Sequence, residues 1–156
     1  MYETLLIRRD SLKNVVADGK TVGFCFAVRQ ADYRGSYLSM CNGFYINVDG
    51  TVYPREVQKL QINGRKPRSI EELKTQVNEV WNYDDEGLVF VEKEGGLAPG
   101  MHHIEYQQSI LCAYGYRPQD EEWIRTPPVP GTGAGAGKTP IIVSFDLELS
   151  KEVTAV

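Results

Sequence analysis

A chain of 156 residues with a formal net charge of −4 is predicted to form one domain over residues 1–156, long enough to bury roughly two-thirds of its unfolded surface. Its lysines and arginines form no stripe that could face phosphates, which argues against a nucleic-acid partner. No apolar run approaches the ~20 residues needed to cross a bilayer. The N-terminus lacks the basic start and apolar stretch of a secretory signal, so we expect a cytoplasmic protein.

Alternation of apolar and polar residues with a period of two dominates the chain and predicts β-strands. The predicted strands cover 5–16 (as one or two strands), 22–28, 37–48, 52–53, 57–62, 88–91, 101–114 and 141–149. Asp49-Gly50 is predicted to form a two-residue hairpin turn, because both residue types tolerate positive φ, and Asn63-Gly64 gives a second turn signal.

One helix is predicted to interrupt the strands. Ser69 and Glu72 have the spacing of a capping box, in which each side chain satisfies a backbone N–H of the first turn. The apolar positions that follow at helical spacing, and that would bury one helix face, are Ile70, Leu73, Val77 and Trp81. Many short strands, frequent turns and a single short helix together predict a mainly β fold, an antiparallel β-sandwich of the jelly-roll or immunoglobulin-like kind.

The Pro/Gly-rich loop 117–140 joins the last two predicted strands and contains five of the eight prolines. Loops longer than roughly 12–15 residues inside compact domains are usually functional or disordered. This one contains Trp123 and Arg125, residue types enriched at binding hot spots. We therefore predict that it acts as an arm that contacts a partner or an active site.

Part of this loop has a sequence similar to that of a phosphate-binding P-loop. That motif requires glycine, four intervening residues and then Gly-Lys-Ser/Thr. Counting back from Gly137, the required glycine falls at Thr132. The spacing fails, and a strand rather than a helix is predicted to follow, so we exclude nucleotide binding at this segment.

Cysteine and histidine spacing predicts no metal site and no catalytic centre. Cys25, Cys41 and Cys112 are widely separated and are expected to be buried free thiols. His102 and His103 are adjacent on a predicted strand and so point to opposite faces, which makes joint metal ligation difficult. We expect one of them to be packed or hydrogen-bonded and the other to be solvated.

Two groups of aromatic and cationic residues could form a recognition surface. Tyr33, Arg34 and Tyr37 lie between two predicted strands, where they either contact a sugar or protein partner or simply pack on the sandwich edge. The second group lies along the long loop and includes Trp123 and Arg125. We predict that Tyr33, Arg34, Tyr37, Trp123 and Arg125 lie at a partner interface or a substrate mouth.

The chain resembles the small (beta) subunit of bacterial C-glycoside deglycosidases over almost its whole length. The segments that carry the resemblance are Leu12-Lys-Asn-Val-Val16, Gly23-Phe-x-Phe-Ala-Val-Arg29, Tyr33-Arg-Gly35, Val48-Asp-Gly50, Gly95-Gly-Leu-Ala-Pro-Gly-x-His102 and the terminal strand. The stretch 123–139 resembles the longer-looped members of that family.

The resemblance implies a β-sandwich subunit bound to a TIM-barrel alpha subunit that carries a divalent metal, typically Mn²⁺, and a histidine base. The pair acts as a lyase on 3-keto-C-glycosides, including those of flavonoids. The 3-keto group acidifies the C2 proton of the sugar. Abstraction of this proton allows an elimination that breaks the sugar–aglycone carbon–carbon bond. No catalytic residue and no metal ligand is carried over to this chain.

Two other functions remain open from the sequence. A free-standing carbohydrate-binding sandwich would use its tyrosines as a stacking platform and would need no second chain. A self-sufficient lyase or isomerase would be active as the purified chain alone.

Overall fold

A computed structural model describes residues 6–30, 35–111, 125–127, 129–131 and 142–156. The fold is mainly β, as predicted. The strands are β1 Lys13–Ala17, β2 Lys20–Val28, β3 Ser36–Tyr37, β4 Cys41–Val48, β5 Thr51–Val52, β6 Gln58–Gln61, β7 Arg68–Ser69, β8 Val80–Trp81, β9 Gly87–Glu92, β10 Met101–Ile110, β11 Val143–Glu148 and β12 Val153–Ala155. The α-helix, α1, spans Ile70–Leu73, and two 3-10 turns span Leu38–Met40 and Arg55–Val57.

The strands form three sheets. A six-stranded sheet has the order β12-β1-β2-β9-β6-β7, a four-stranded sheet has the order β11-β10-β4-β5, and β3 pairs with β8. β1 and β12 pair in parallel, whereas the other strand pairs among the described residues are antiparallel. The sequence pattern did not predict β12, which has only three residues.

The two larger sheets share one apolar core. In β2, Phe24 and Phe26 belong to this core and alternate with small residues that point to the outer face. The Phe26 ring meets the ring of Tyr106 from the four-stranded sheet edge to face, with 5.9 Å between centroids. The Phe24 ring meets Tyr53 in the same way at 5.3 Å. This shared core is the packing expected of a sandwich, while the jelly-roll or immunoglobulin-like connectivity stays a prediction.

A buried glutamine connects the two sheets through this core. The Gln58 amide on β6 donates to the carbonyl oxygens of Phe44, at 2.7 Å, and Tyr53, at 2.9 Å. Its own oxygen accepts from the Phe44 N–H at 3.0 Å. Because each polar atom of this buried side chain is paired, the amide fixes the register between the sheets without a desolvation penalty.

Both predicted turns are confirmed. Asp49 and Gly50 have φ values of +52° and +93°, and they join β4 to β5 with Val48 opposite Thr51. Asn63 and Gly64 have φ values of +58° and +70°.

The predicted helix begins as expected and ends early. Ser69 caps it, with both capping-box hydrogen bonds present, but the helix ends at Leu73. Val77 is 61% exposed and Trp81 lies in β8, so the prediction that both continue one buried helical face was wrong. The reason is tertiary pairing: the N–H of Leu38 donates to the Glu79 carbonyl oxygen at 2.9 Å, which holds this stretch extended.

The predicted strand 37–48 is also interrupted. A 3-10 turn at Leu38–Met40 separates β3 from β4. The Leu38 side chain in this turn is buried, and the turn lets β3 pair with β8 while β4 joins the four-stranded sheet. The predicted strand 101–114 ends at Ile110 in the structure, and positions 112–114 lie outside the described residues.

Cys25 and Cys41 are buried free thiols, as predicted, and Cys112 lies outside the described residues. Burial raises the pKa of Cys41 to about 11, so this thiol stays protonated and inert at neutral pH. No helix within the described ranges has the length and apolar character of a membrane span.

A nearly buried ion pair holds the edge of the six-stranded sheet. The two terminal guanidinium nitrogens of Arg68 donate to the two carboxylate oxygens of Glu79, at 2.9 and 2.7 Å. The side chains are 8% and 15% exposed. Asn63 also donates to Glu79, at 2.9 Å. Mainly because of the Arg68 hydrogen bonds, the pKa of Glu79 falls to about 2.

Glu79→Gln is expected to lower the free energy of unfolding by about 3 kcal/mol at neutral pH, because it leaves the buried Arg68 charge without its counter-charge. Urea unfolding measures this loss. The matched control is Glu71→Gln, whose side chain is 82% exposed and pairs with Lys74, and which should unfold like the wild type. In the wild type the Glu79 contribution should be lost as the pH falls from 4.5 towards 2. Equal losses in both variants would contradict this account.

Candidate functional site

The sandwich has two ends with different structures. At one end, which we call the turn end, lie the turns 18–19 and 49–50 and the loop 93–100. At the other, the loop end, lie residues 28–30, 35–40, 81–87 and 108–111. Strand registers define both ends: Val28 pairs with Gly87 at one end of the six-stranded sheet, and Gly23 pairs with Glu92 towards the other. A hydrogen bond from the Gln108 amide to the Arg29 carbonyl oxygen, at 2.6 Å, joins the two sheets at the loop end.

A histidine with two acceptors organises the turn end. The His102 side chain is 9% exposed. Its Nδ1 lies 2.5 Å from an Asp49 carboxylate oxygen and its Nε2 lies 2.7 Å from the Ala98 carbonyl oxygen. A carbonyl oxygen and a carboxylate can only accept, so the two contacts are both satisfied only when the imidazole carries two protons.

The ionisation of both partners agrees with this geometry. Desolvation lowers the pKa of His102, but the hydrogen bonds to Ala98 and Asp49 and the Asp49 charge together outweigh it, so the pKa is raised. The pKa of Asp49 is lowered, first by the N–H of His103, which donates to its other oxygen at 2.8 Å, and then by His102. Asp49 and His102 therefore form an ion pair that fastens the β4–β5 turn to the loop 93–100.

The same loop is held from the six-stranded sheet. The Asn14 amide donates to the Leu97 carbonyl oxygen at 3.0 Å, and its oxygen accepts from the Leu97 N–H at 2.9 Å. Gly96 has a φ of +63°, and an added Cβ would overlap the Asn14 amide, so glycine is required beside this contact. Three of the segments that carry the family resemblance, containing Asn14, Asp49 and Gly95–His102, thus converge on one loop.

This arrangement holds backbone segments together rather than forming a catalytic centre. Both ring nitrogens of His102 are engaged, so neither is available as a general base or a metal ligand. His103 is exposed and its Nδ1 lies 2.8 Å from Asp146. The prediction of one hydrogen-bonded and one solvated histidine is confirmed. Within the described ranges, no group of three or more His, Cys, Asp or Glu residues is placed to hold a metal ion.

The Asp49–His102 ion pair should make stability depend on pH. The raised pKa of His102 means that the folded state holds its proton more tightly, so the contribution is full below pH 6.5 and is lost as the pH rises through the folded pKa. As the pH rises above 6.5, the free energy of unfolding should therefore fall in the wild type. His102→Gln should lower the free energy of unfolding by about 1 kcal/mol at pH 6. The loss is this small because the Asp49 side chain is 48% exposed and solvent screens the ion pair. The substitution should also flatten the dependence of stability on pH.

The matched control for this experiment is His103→Gln, whose exposed pair with Asp146 is screened by solvent. It should keep most of the pH dependence. If His102→Gln showed the wild-type slope, the ion pair would not be the group that titrates.

The loop end presents Tyr37 on a rigid support. Tyr37 is 41% exposed and lies in β3, opposite Val80. The buried Trp81 beside it donates its indole N–H to the Asp85 carbonyl oxygen at 2.8 Å, which closes the turn before β9. Gly35 packs against the Trp81 carbonyl oxygen, where a Cβ would lie 2.6 Å away. The tyrosine is therefore displayed at a fixed position.

Buried polar groups also gather at the loop end. Gln30, Ser36 and Ser109 are at most 6% exposed. In the described part of the chain, their side-chain polar atoms have no hydrogen-bond partner. Such groups are costly in a finished interior.

The predicted site residues are only partly described. Tyr33, Arg34 and Trp123 lie outside the described residues. Tyr37 is at the loop end, and Arg125 is exposed. Residues Gln30, Gly35 and Leu111, which flank the segments 31–34 and 112–124, lie at this same end. The assignment of the five residues to an interface or substrate mouth stays a prediction.

Part of the long loop contacts its own domain. The N–H of Gly131 donates to the Gln107 amide oxygen at 2.7 Å, and Gly131 lies against the Tyr45 ring so closely that a Cβ would overlap it. Pro130 is buried. Segment 129–131 therefore lies on the outer face of the four-stranded sheet, and the role of the whole loop 117–140 as an arm stays a prediction.

Sequence reasoning missed the contacts of Asn14, Asp49 and Gln108. Asp49 was assigned only to a turn, and the pairing with His102 joins residues far apart in the chain. A usable signal existed for that pair, because both residues lie in segments that carry the family resemblance. Nothing in the local pattern marks Gln108, whose role depends on how the two sheets meet.

Comparison with known proteins assigns this fold to a family. The family model described as C-glycoside deglycosidase beta subunit matches residues 2–114, which include β1 to β10 and the contacts at both ends. The chain belongs to this family. It is also similar to the C-glycoside deglycosidase beta subunit of Eubacterium cellulosolvens (strain ATCC 43171 / JCM 9499 / 6), with 28% identity over 104 residues that cover 67% of this chain and 69% of the relative.

Proposed function

We propose that the chain is the non-catalytic beta subunit of a cytoplasmic, heteromeric C-glycoside deglycosidase. The complex would act as a carbon–carbon lyase that cleaves the sugar–aglycone bond of 3-keto-C-glycosides. The observation that carries the proposal is membership of the beta-subunit family. The catalytic subunit would be a TIM barrel that carries the divalent metal, Mn²⁺, and the base.

The chemistry of the described residues favours a positioning role. The one buried histidine in these ranges has both nitrogens engaged, and the buried carboxylate of Glu79 is held by Arg68. Neither group is placed to exchange a proton with a substrate. A subunit without a reacting group can still increase the rate when it fixes the loops of its partner in the reactive geometry.

The loop end is the surface that we propose for the catalytic subunit. It displays Tyr37, which is 41% exposed. Tyrosine is enriched at the centres of protein interfaces. The substrate mouth would lie where this end meets the barrel.

The pair, but not this chain alone, should cleave a 3-keto-C-glycoside in the presence of Mn²⁺. The measurement is release of the free aglycone, followed by chromatography, from this chain, from its companion barrel subunit and from the two expressed together. Turnover by this purified chain alone would contradict the proposal. So would a stable monomer that binds glycans and does not associate with the companion.

Tyr37→Ala is expected to weaken association with the companion by roughly tenfold or more, as for a truncated aromatic hot spot. Trp123→Ala should act in the same direction. The matched control is Met101→Ala, which is 62% exposed at the turn end and should bind like the wild type. Titration by surface plasmon resonance measures the affinities. Unchanged binding by both aromatic variants would show that neither the loop end nor the long loop lies in the interface.

A further inference from the structure

A groove crosses the outer face of the six-stranded sheet near its turn end. Its volume is about 690 Å³. Val15, Gly23 and Phe90 lie along it, and Val22 and Val57 line its sides. The face is apolar because Val15, Cys25 and Phe90 form a second, smaller cluster of buried residues, separate from the main core.

A glycine of β2 lies in the lining of the groove. Gly23 lies between Val15 of β1 and Glu92 of β9 in the cross-strand row. An added Cβ would overlap the Val91 carbonyl oxygen, so the close approach of the β9 backbone requires glycine here. A glycine inside a strand marks a position where a ligand or another backbone approaches closely.

The rim of the groove is basic, although the whole chain is acidic. Four lysines and two glutamates line it: Lys20, Lys59, Lys66, Lys93, Glu92 and Glu94. Lys59 pairs with Glu92 at 3.5 Å. The local charge is therefore positive on a chain whose net charge is −4, and this asymmetry favours an anionic ligand.

We propose that the groove binds a small, flat aromatic anion, such as an aromatic carboxylate or phenolate. The aromatic ring would pack on the apolar floor, and the lysines of the rim would pair with the negative charge. The volume falls in the range of roughly 300–1,000 Å³ typical of small-molecule sites. A protein partner, in contrast, usually needs a wide contact of about 800 Å² per side. This proposal does not depend on the proposed function.

The probes are 2-naphthoate and neutral 2-naphthol, which share a ring system and differ in charge. Calorimetric titration of the full-length chain should give one saturable site for 2-naphthoate. The dissociation constant is expected on the order of 0.1–1 mM, from the affinity per heavy atom of small ligands. 2-Naphthol should bind roughly fivefold more weakly, and added salt should reduce the difference. Absence of saturable binding, or equal affinity for the two probes, would overturn the proposal.

Variants of the apolar wall test the position. Val22→Asp places a charge in the groove, and Val22 is 38% exposed, so the fold should tolerate it. It should raise the dissociation constant for 2-naphthoate at least roughly tenfold. The control Val52→Asp, at a 54% exposed valine of the four-stranded sheet, should leave binding unchanged. Equal effects of the two substitutions would overturn the proposal.

Variants of the basic rim test the charge. Lys20→Glu combined with Lys66→Glu should raise the dissociation constant by roughly tenfold, whereas Lys151→Glu, outside the groove, should not. These lysines are exposed, so circular dichroism should show an intact fold. If sedimentation showed that the chain self-associates through this face, with Val22→Asp but not Val52→Asp giving monomers, the occupant would be a second copy and the proposal would be wrong.

Discussion

The apolar core shared by the two larger sheets is the constraint on which the rest of the molecule depends. Strand alternation sends one side of each sheet into this core, where Phe26 meets Tyr106 and Gln58 connects the backbones of β6 and β4. With the inner faces occupied, the surfaces left for other molecules are the two ends and the outer faces.

The two ends use polar groups in opposite ways. At the turn end three polar side chains are paired: His102 has two acceptors, Asp49 has two donors, and both halves of the Asn14 amide are bonded. Satisfied networks of this kind rigidify a fold. At the loop end, buried polar atoms such as those of Gln30 have no partner in the described part of the chain. The turn end holds the sheets in register, and the loop end is the surface that we propose for a second subunit.

Local rules predicted much of the fold from sequence. Period-two alternation located β2 and β9, and the Asp49-Gly50 and Asn63-Gly64 turns followed from residue types that accept positive φ. The errors arose where tertiary contacts override local preference. The helix ends at Leu73 because residues 76–79 pair with the 3-10 turn at Leu38–Met40. Strand β12 forms because it pairs with the free edge of β1. Nothing within a short window of sequence contains that information. The candidate site was less predictable still, since the Asp49–His102 pair joins residues 53 positions apart.

Hydrogen–deuterium exchange of the chain with and without its companion subunit tests the central claim most directly, since it reports where the partner binds. The account predicts that binding slows exchange at the loop end, in residues 35–40, 82–86 and 108–111. The turn end around Asp49 and Ala98 should exchange at the same rate in both samples. Protection confined to the turn end, or no protection in a complex that is active, would contradict the claim that this subunit works through its loop end.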